Sequence, residues 1–391
     1  MNVSPTERTG AAVQRAIDEA AASGGGCVEL APGVYPCGTI WLRSNVELRI
    51  PAGSKLLGSA DPADYADFED PRYGSVAPEG SRKCLLACRD GENVAVTGDG
   101  EIDGQGPLFY DRDVPPGGFY AKPPHPRPRM VQFLHCRGVR LEGVSFKDSP
   151  GWTMWLCDCE DVRVQGIRID GDQRMINNDG IDIDCCRRVS VSGSFFRTGD
   201  DCIVLRAIRR SAGDPAVCEN VVVANCTLDS RCQAVRIGCP SDGTIRHALF
   251  SNLVCRSRNG IFFENPVRYL RRGDTGFLSA SDVRFEHLDL ECDDFPVRIN
   301  VEDGIALRAI ERIAFRAVRF RSGKPVQVSG NNGTLLRDIS FSDVSGSVAS
   351  DAAIVSRCVE RLKLDGFEVS TGRGDPVALD RRPSPSWETS F

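Results

Sequence analysis

Short strands rich in branched aliphatic residues recur along this chain, and that recurrence limits its possible folds more than any other feature. Anchors stand at Val139, Val162, Val189, Val221, Leu249, Val283, Ile313, Ile339 and Leu362, a step of about 23 to 34 residues, in the range of solenoid repeats. A typical unit is Val162-Arg163-Val164-Gln165-Gly166-Ile167-Arg168-Ile169: two short segments, each alternating apolar and polar side chains as half-buried strands do, joined by a small bend. One such unit cannot bury its own apolar faces. A stack of them can, because every strand then pairs with the coil before and the coil after. No helical period separates successive strands, which excludes a doubly wound sheet or an α/β barrel. The pattern predicts an all-β parallel β-helix, with residues 1–391 forming a single domain.

The one helical signal is Ala11 to Ala22, with Val13, Ala16, Ile17 and Ala20 on one face. Thr9 can cap its start and Gly24-Gly25-Gly26 ends it, so residues 1–26 are expected to cap the open end of the stack. Two stretches interrupt the repeat, 61–82 and 107–130. Both are rich in Pro, Gly and charge, and the second holds Phe109, Tyr110, Phe119 and Tyr120. They read as loops that shape a binding groove. The tail 381–391, rich in Pro and Ser, is expected to be loosely held.

Charge and cysteine usage narrow the partners. A net charge of −6 argues against nucleic acid, whose binding needs a basic face, and the apolar runs are too short for a membrane span. Met1 to Gly10 lacks the apolar core of a signal peptide, so the seventeen cysteines are expected to be reduced, structural thiols in a cytoplasmic protein. Neither Cys157/Cys159 nor Cys185/Cys186 has a zinc-site spacing, and none of His125, His135, His247 and His287 sits near a cysteine pair as a ligand would. No metal and no cofactor is expected.

The densest acidic constellation is Asn177-Asn178-Asp179-Gly180-Ile181-Asp182-Ile183-Asp184, followed by Thr198-Gly199-Asp200-Asp201-Cys202. Asn and Asp often do no more than fill turns. Here the two motifs lie one repeat apart, so stacking would place them side by side, with strands of adjacent coils about 4.8 Å apart. Clustered carboxylates raise at least one pKa, as a general acid requires, and paired carboxyl groups are the usual equipment for glycoside hydrolysis.

At these residues the sequence resembles glycoside hydrolase family 28, the polygalacturonase-like enzymes. Thr97-Gly98-Asp99-Gly100-Glu101-Ile102-Asp103-Gly104-Gln105-Gly106, Arg127-Pro128-Arg129 and Ser149-Pro150-Gly151-Trp152-Thr153 fit the family. Asn177-Asn178-Asp179-Gly180 is similar to its N-T-D-G, and Gly199-Asp200-Asp201 to its G-D-D. The resemblance runs from Gly10 to about Gly260 and implies a right-handed parallel β-helix and hydrolysis with inversion. It would make Asp200 the general acid, with Asp179 and Asp201 activating the attacking water.

Two departures change the expected sugar. Gln233 stands where polygalacturonases have histidine, and Phe262-Phe263-Glu264 replaces the family's R-I-K, so a galacturonate carboxylate at that position would meet Glu264 instead of two cations. Strand alternation adds a groove row. If Ile181, Ile183, Ile203, Leu205, Val235, Ile237, Ile261 and Phe263 face the core, then Asp182, Asp184, Arg206, Arg236, Phe262 and Glu264 face the groove, with Trp155, Arg298 and Asn300 on the same face. Trp155 and Phe262 are candidates to stack on a sugar, and Asp182 and Glu264 to accept from its hydroxyls. Arg206, Arg236 and Arg298 either serve an acidic group at another subsite or pair with Asp182, Asp184 and Glu264. The expected function is an inverting, exo-acting glycosidase on small plant-cell-wall-type oligosaccharides with a neutral or deoxy sugar, such as rhamnose or galactose, at the cleaved non-reducing end. An exo-polygalacturonase, a polysaccharide lyase of the same fold and a non-catalytic carbohydrate-binding β-helix stand as alternatives.

Overall fold

The computed structural model describes residues 2–3, 7–68, 82–210, 213–238, 240–269, 276–372 and 379–381. Most of the 61–82 loop, and all of the 381–391 tail but its first residue, lie outside them. The chain divides into two compact units, the first comprising Met1–Val204, Arg210–Asp214 and Asn220–Arg231, the second Leu205–Arg209, Pro215–Glu219 and Cys232–Phe391.

The first unit opens with the α-helix Gly10–Ala22, where Thr9 Oγ1 accepts from the Ala12 N–H at 3.2 Å. Ala12, Val13, Ile17 and Ala20 are its buried residues. Gln14 docks the helix on the first coils: its Nε2 donates to the Trp41 carbonyl at 3.0 Å and its Oε1 accepts from the Trp41 N–H at 2.7 Å.

Coils follow in parallel register. Met154–Cys157, Glu160–Gln165 and Arg168–Asp170 form one, and Ile181–Asp184, Arg187–Ser192 and Phe195–Thr198 the next. Trp155 lies opposite Asp182, Val162 opposite Val189 and Ile169 opposite Phe196. A coil therefore holds three strands where the sequence pattern suggested two. The additional strand, as in Met154–Cys157, Ile181–Asp184 and Ile203–Arg206, is buried at every position. Buried on both faces, it shows none of the burial alternation that betrays a half-exposed strand.

In the second unit, the strands Thr244–Glu264, Ser279–Cys292, Ala309–Ser322 and Leu336–Val348 stack in parallel. Phe250, Phe285, Phe315 and Phe341 form a column of stacked rings with centroids 4.9, 4.9 and 4.7 Å apart, matching the strand spacing of the coils. One expected anchor shifts by a residue. Ala248, not Leu249, stands opposite Val283, while Leu249 faces Arg284. The inward alanine is small, and the outward leucine beside it mimicked the repeat.

The described cysteines form no disulfide. Cys27, Cys232 and Cys358 are half-buried and the others buried. Among the described residues, no helix is long and apolar enough to cross a membrane.

Candidate functional site

In the first unit, the two acidic motifs occupy turns that lead into successive buried strands. Backbone hydrogen bonds hold them in step: Gly180 N donates to the Asp201 carbonyl at 2.9 Å, Ile181 N to Cys202 at 2.9 Å, and Thr153 N to the Asp179 carbonyl at 2.8 Å. Asn178 locks the turns together. Its Oδ1 accepts from the N–H groups of Gly199 at 2.8 Å and Asp200 at 3.2 Å, and its Nδ2 donates to the Asp172 carbonyl at 3.1 Å. The close approach explains both glycines: a Cβ on Gly180 would lie 2.3 Å from the Cys202 carbonyl oxygen, and one on Gly199 2.1 Å from that of Met175.

Asp200 is the accessible member of the trio. It is half-buried, whereas Asp179 and Asp201 are only 5% and 2% exposed. Its Oδ2 accepts from Asn177 N at 3.1 Å and Asn177 Nδ2 at 3.4 Å, its Oδ1 from Asp201 N at 3.1 Å. Thr198 and Ser230 each donate a hydroxyl to its carbonyl at 2.6 Å. Carboxylate oxygens of Asp200 and Asp201 lie within 4.8 Å of each other. One reachable carboxyl group backed by two buried ones is an arrangement able to divide acid and base roles.

The loop 107–130 folds against the turn that carries Asn177. Arg127 Nη2 donates to Asn177 Oδ1 at 3.0 Å, and its Nη1 to the carbonyls of Ile176 at 2.7 Å and Pro150 at 3.1 Å and to the Tyr110 hydroxyl. The Tyr110 hydroxyl lies within hydrogen-bond distance of the same two carbonyls, 2.8 Å from Pro150 and 2.6 Å from Ile176, and shares its one proton between them. Burial pushes the Tyr110 phenol up to about 12 against the opposing pull of Arg127, and the negative charges of Asp200 and Asp179 add to the rise. Tyr120 donates to Asp172 Oδ2 at 2.7 Å, a bond that raises its own pKa ahead of any effect of burial. Arg127 and Asn177 entered the sequence reading only as letters of motifs; no periodicity singles out residues in irregular turns.

Trp155 lies between Gln132 and Asp182 in register, on the face that alternation predicts. It is only 7% exposed, and the Arg129 guanidinium lies over its ring at 4.7 Å and over Trp152 at 4.8 Å. Trp155 therefore stacks on an arginine within the protein. Asp182 is 0% exposed and Asp184 is buried as well.

The other predicted residues belong to the second unit. Arg206, Gln233, Arg236, Phe262 and Glu264 are all buried. Arg236 Nη2 and Glu264 Oε2 form an ion pair at 3.0 Å, so Glu264 carries its own counter-charge, as the pairing reading expects. Arg298 behaves differently. It lies opposite Phe262 in register, its guanidinium sits 5.0 Å from the Phe262 ring and 5.1 Å from Phe295, and its Nε donates to Gln327 at 2.9 Å. Burial lowers its pKa, with Glu264 and Glu302 acting the other way.

Stacked coils in parallel register define a parallel β-helix, with carboxylates gathered on two of its adjacent turns. The family model for glycosyl hydrolases family 28 matches residues 72–213, a stretch that contains Asp179, Asp200 and Asp201. A probable polygalacturonase of Arabidopsis thaliana is 25% identical over 284 residues, covering 65% of this chain and 58% of that protein. One of Vitis vinifera is 28% identical over 189 residues, covering 47% and 37%. The chain thus spans about half the length of these plant relatives. The crystal structure of an exopolygalacturonase from Thermotoga maritima superposes with a TM-score of 0.73 at 22% identity, covering 94% of this chain and 91% of that one, a likeness of fold. Residues 72–213 are similar to family 28, and the chain folds as a right-handed parallel β-helix, the fold that the repeat and the resemblance both lead one to expect.

Proposed function

We propose that the protein is a glycosidase acting on pectin-related oligosaccharides, exo-acting and inverting, with Asp200 as general acid. The observation that carries this reading is the graded exposure of the trio: Asp200 is half-buried, while Asp179 and Asp201 are buried. Asp200 gives its proton to the glycosidic oxygen as the bond to the anomeric carbon breaks. Asp179 and Asp201 take a proton from the water that attacks the opposite face. The loop 107–130, held on the Asn177 turn through Arg127 and Tyr120, favours exo-action on short chains, in keeping with a cytoplasmic enzyme fed by imported oligosaccharides. Phe262 and Glu264, at the positions where polygalacturonases use cations, favour a neutral or deoxy sugar such as rhamnose or galactose at the cleaved end, and Glu264 is already paired with Arg236.

The test is anomer-resolved NMR of products from a panel of pectin-derived oligosaccharides. Release of terminal sugars with inverted configuration supports the proposal. Retained configuration overturns the single-displacement step, and unsaturated products would make the protein a lyase. Tight binding without turnover would make it a carbohydrate-binding β-helix.

A further inference from the structure

The first unit contains a buried file of thiols. Glu92, Arg137, Glu160 and Arg187 lie opposite one another in successive coils. The residues just before them, Gly91, Cys136, Cys159 and Cys186, therefore stack as well, one per coil. Gly91 has no side chain, and another sulfur fills the gap: a Cβ on Gly91 would collide with Cys88 Sγ and lie 3.6 Å from Cys136 Sγ. Cys88, Cys136, Cys159 and Cys186 are joined in that order by thiol hydrogen bonds. We propose that the Cys136–Cys159 rung of this file is an oxidation site, where a peroxide converts the two thiols into a disulfide that joins successive coils. The inference is independent of the glycosidase reading.

Register selects the pair. The Glu160 N–H donates to the Cys136 carbonyl at 2.9 Å, and the Arg187 N–H to the Cys159 carbonyl at 2.9 Å. The backbones at Cys136 and Cys159 are thus one strand spacing apart, about 4.8 Å, within the roughly 4.4–6.8 Å between Cα atoms that a disulfide spans. Cys88 enters the file from elsewhere, since it lies opposite Phe133 and not Cys136. Neighbours in sequence are not partners here. Cys157 lies opposite Leu134 and Asp184 in the strand before the turn, so only Cys159 of that pair belongs to the file.

Hydrogen bonding selects the sulfur that reacts first. Cys136 Sγ accepts from the Gly91 N–H at 3.4 Å. Bonds from the Cys159 and Cys88 thiols hold Cys136 well below the usual thiol range in spite of its burial. Burial raises Cys159, and the bond to Cys136 raises Cys88 ahead of burial. The thiolate is the nucleophilic form. Cys136 sulfur takes one peroxide oxygen as the O–O bond breaks, which gives a sulfenic acid and hydroxide. Cys159 sulfur then bonds to Cys136 sulfur, the S–O bond breaks, and a second hydroxide leaves. The two hydroxides take up the protons of the two thiols. Each sulfur loses one electron, and the peroxide is reduced to two waters. The neutral disulfide needs no hydrogen-bond partner, unlike a buried sulfenic acid.

The cover over the rung is thin. Cys136 is only 2% exposed, yet His135 and Arg137 on either side of it are exposed. His135 holds a left-handed backbone and pairs with Asp90 at 2.8 Å. One turn must open to admit peroxide, and local openings of that kind need less free energy than unfolding.

The test treats folded, reduced, full-length protein with a small excess of hydrogen peroxide. Catalase stops the reaction, the protein is alkylated in urea, and linked peptides are mapped by mass spectrometry. The first link is expected to join Cys136 to Cys159 and to outweigh all other links together. Exposure alone would favour the half-buried Cys27, Cys232 and Cys358 instead. Cys136→Ser and Cys159→Ser should each abolish the link, and Cys186→Ser should leave it in place. Oxidation should raise the urea midpoint, because the link restricts the unfolded chain, and dithiothreitol should restore it. First oxidation at the half-buried cysteines overturns the proposal. So does a Cys136 link to Cys88 or Cys186, a sulfinic acid on Cys136 in place of a link, or a midpoint that dithiothreitol does not restore. The map of the unaltered protein decides the matter even where a serine variant fails to fold.

Discussion

Asn177 donates twice to one oxygen of Asp200, from its backbone N–H at 3.1 Å and from its side-chain amide at 3.4 Å. The backbone at Asn177 is left-handed, with φ of 55°, a conformation asparagine tolerates better than most residues. Replacing it with alanine removes the side-chain donor and the acceptor for Arg127, and strains the turn. We expect Asn177→Ala to lower kcat on a pectin-derived oligosaccharide by about 10-fold, of the order of one hydrogen bond to a charged group, with a smaller change in KM.

Asp200→Asn keeps the size and the acceptor but has no proton to give. The expected loss in kcat is roughly 10²- to 10⁴-fold, the usual contribution of general acid catalysis. Because Asp200 is half-buried, the melting temperature should move little. A variant that cleaves at the original rate would remove Asp200 from the acid role.

Gly199 is locked by its surroundings. A Cβ there meets the Met175 carbonyl oxygen at 2.1 Å and the Asn178 Oδ1 at 2.9 Å, and neither can retreat without undoing the turn. Gly199→Ala is predicted to cost about 1–3 kcal/mol, as overpacking does, and to lower kcat as well, because Asn178 holds Asp200. Urea unfolding and initial rates on one preparation measure both effects.

Phe285 lies between Phe250 and Phe315 at 4.9 Å from each and is fully buried. Phe285→Ala opens a cavity and breaks three ring contacts, the third an edge contact with Phe263, so a loss of about 3–5 kcal/mol is expected. Phe285→Leu should recover more than half of that. A loss below about 1 kcal/mol in the alanine variant, as seen at exposed sites, would show that the column bears little of the fold's stability.

Buried thiols set the alkaline limit. Burial pushes Cys37, Cys84 and Cys292 from 9.0 up to about 12. Between those values the unfolded chain gives up thiol protons that the folded chain keeps. The unfolded state then binds fewer protons, and stability falls as pH rises. The full contribution is present below pH 9 and is lost toward pH 12. Urea midpoints measured at intervals from pH 8 upward should decline across this window, and Cys84→Ala should flatten the decline. A midpoint constant to pH 11 would contradict the burial of these groups.

What the sequence makes legible is the part that repeats. Val139, Val162 and Val189 stand in one inward column, as do Val283, Ile313, Ile339 and Leu362, because branched side chains at fixed spacing have few alternatives once coils stack. The placement of Asp179 beside Asp201 follows from the same logic. Strands buried on both faces were harder to read, since Asp182 and Trp155 mark a groove face by alternation yet are both buried. Least legible were Arg127, Tyr110 and Tyr120, whose partners sit in turns far along the chain. A loop's docking depends on individual hydrogen bonds that follow no period.

The phenylalanine column of the second unit works as a ruler with one mark per coil. Excising the stretch from Phe285 up to Phe315 would rejoin the chain with the next ring in the vacated place and every strand still offered a partner. A cut one residue shorter or longer would put Ala314 or Arg316, which face outward, where the ring belongs. Such a molecule can shorten or lengthen in descent only by whole turns, so the number of its coils is open to evolutionary change while their cross-section stays fixed.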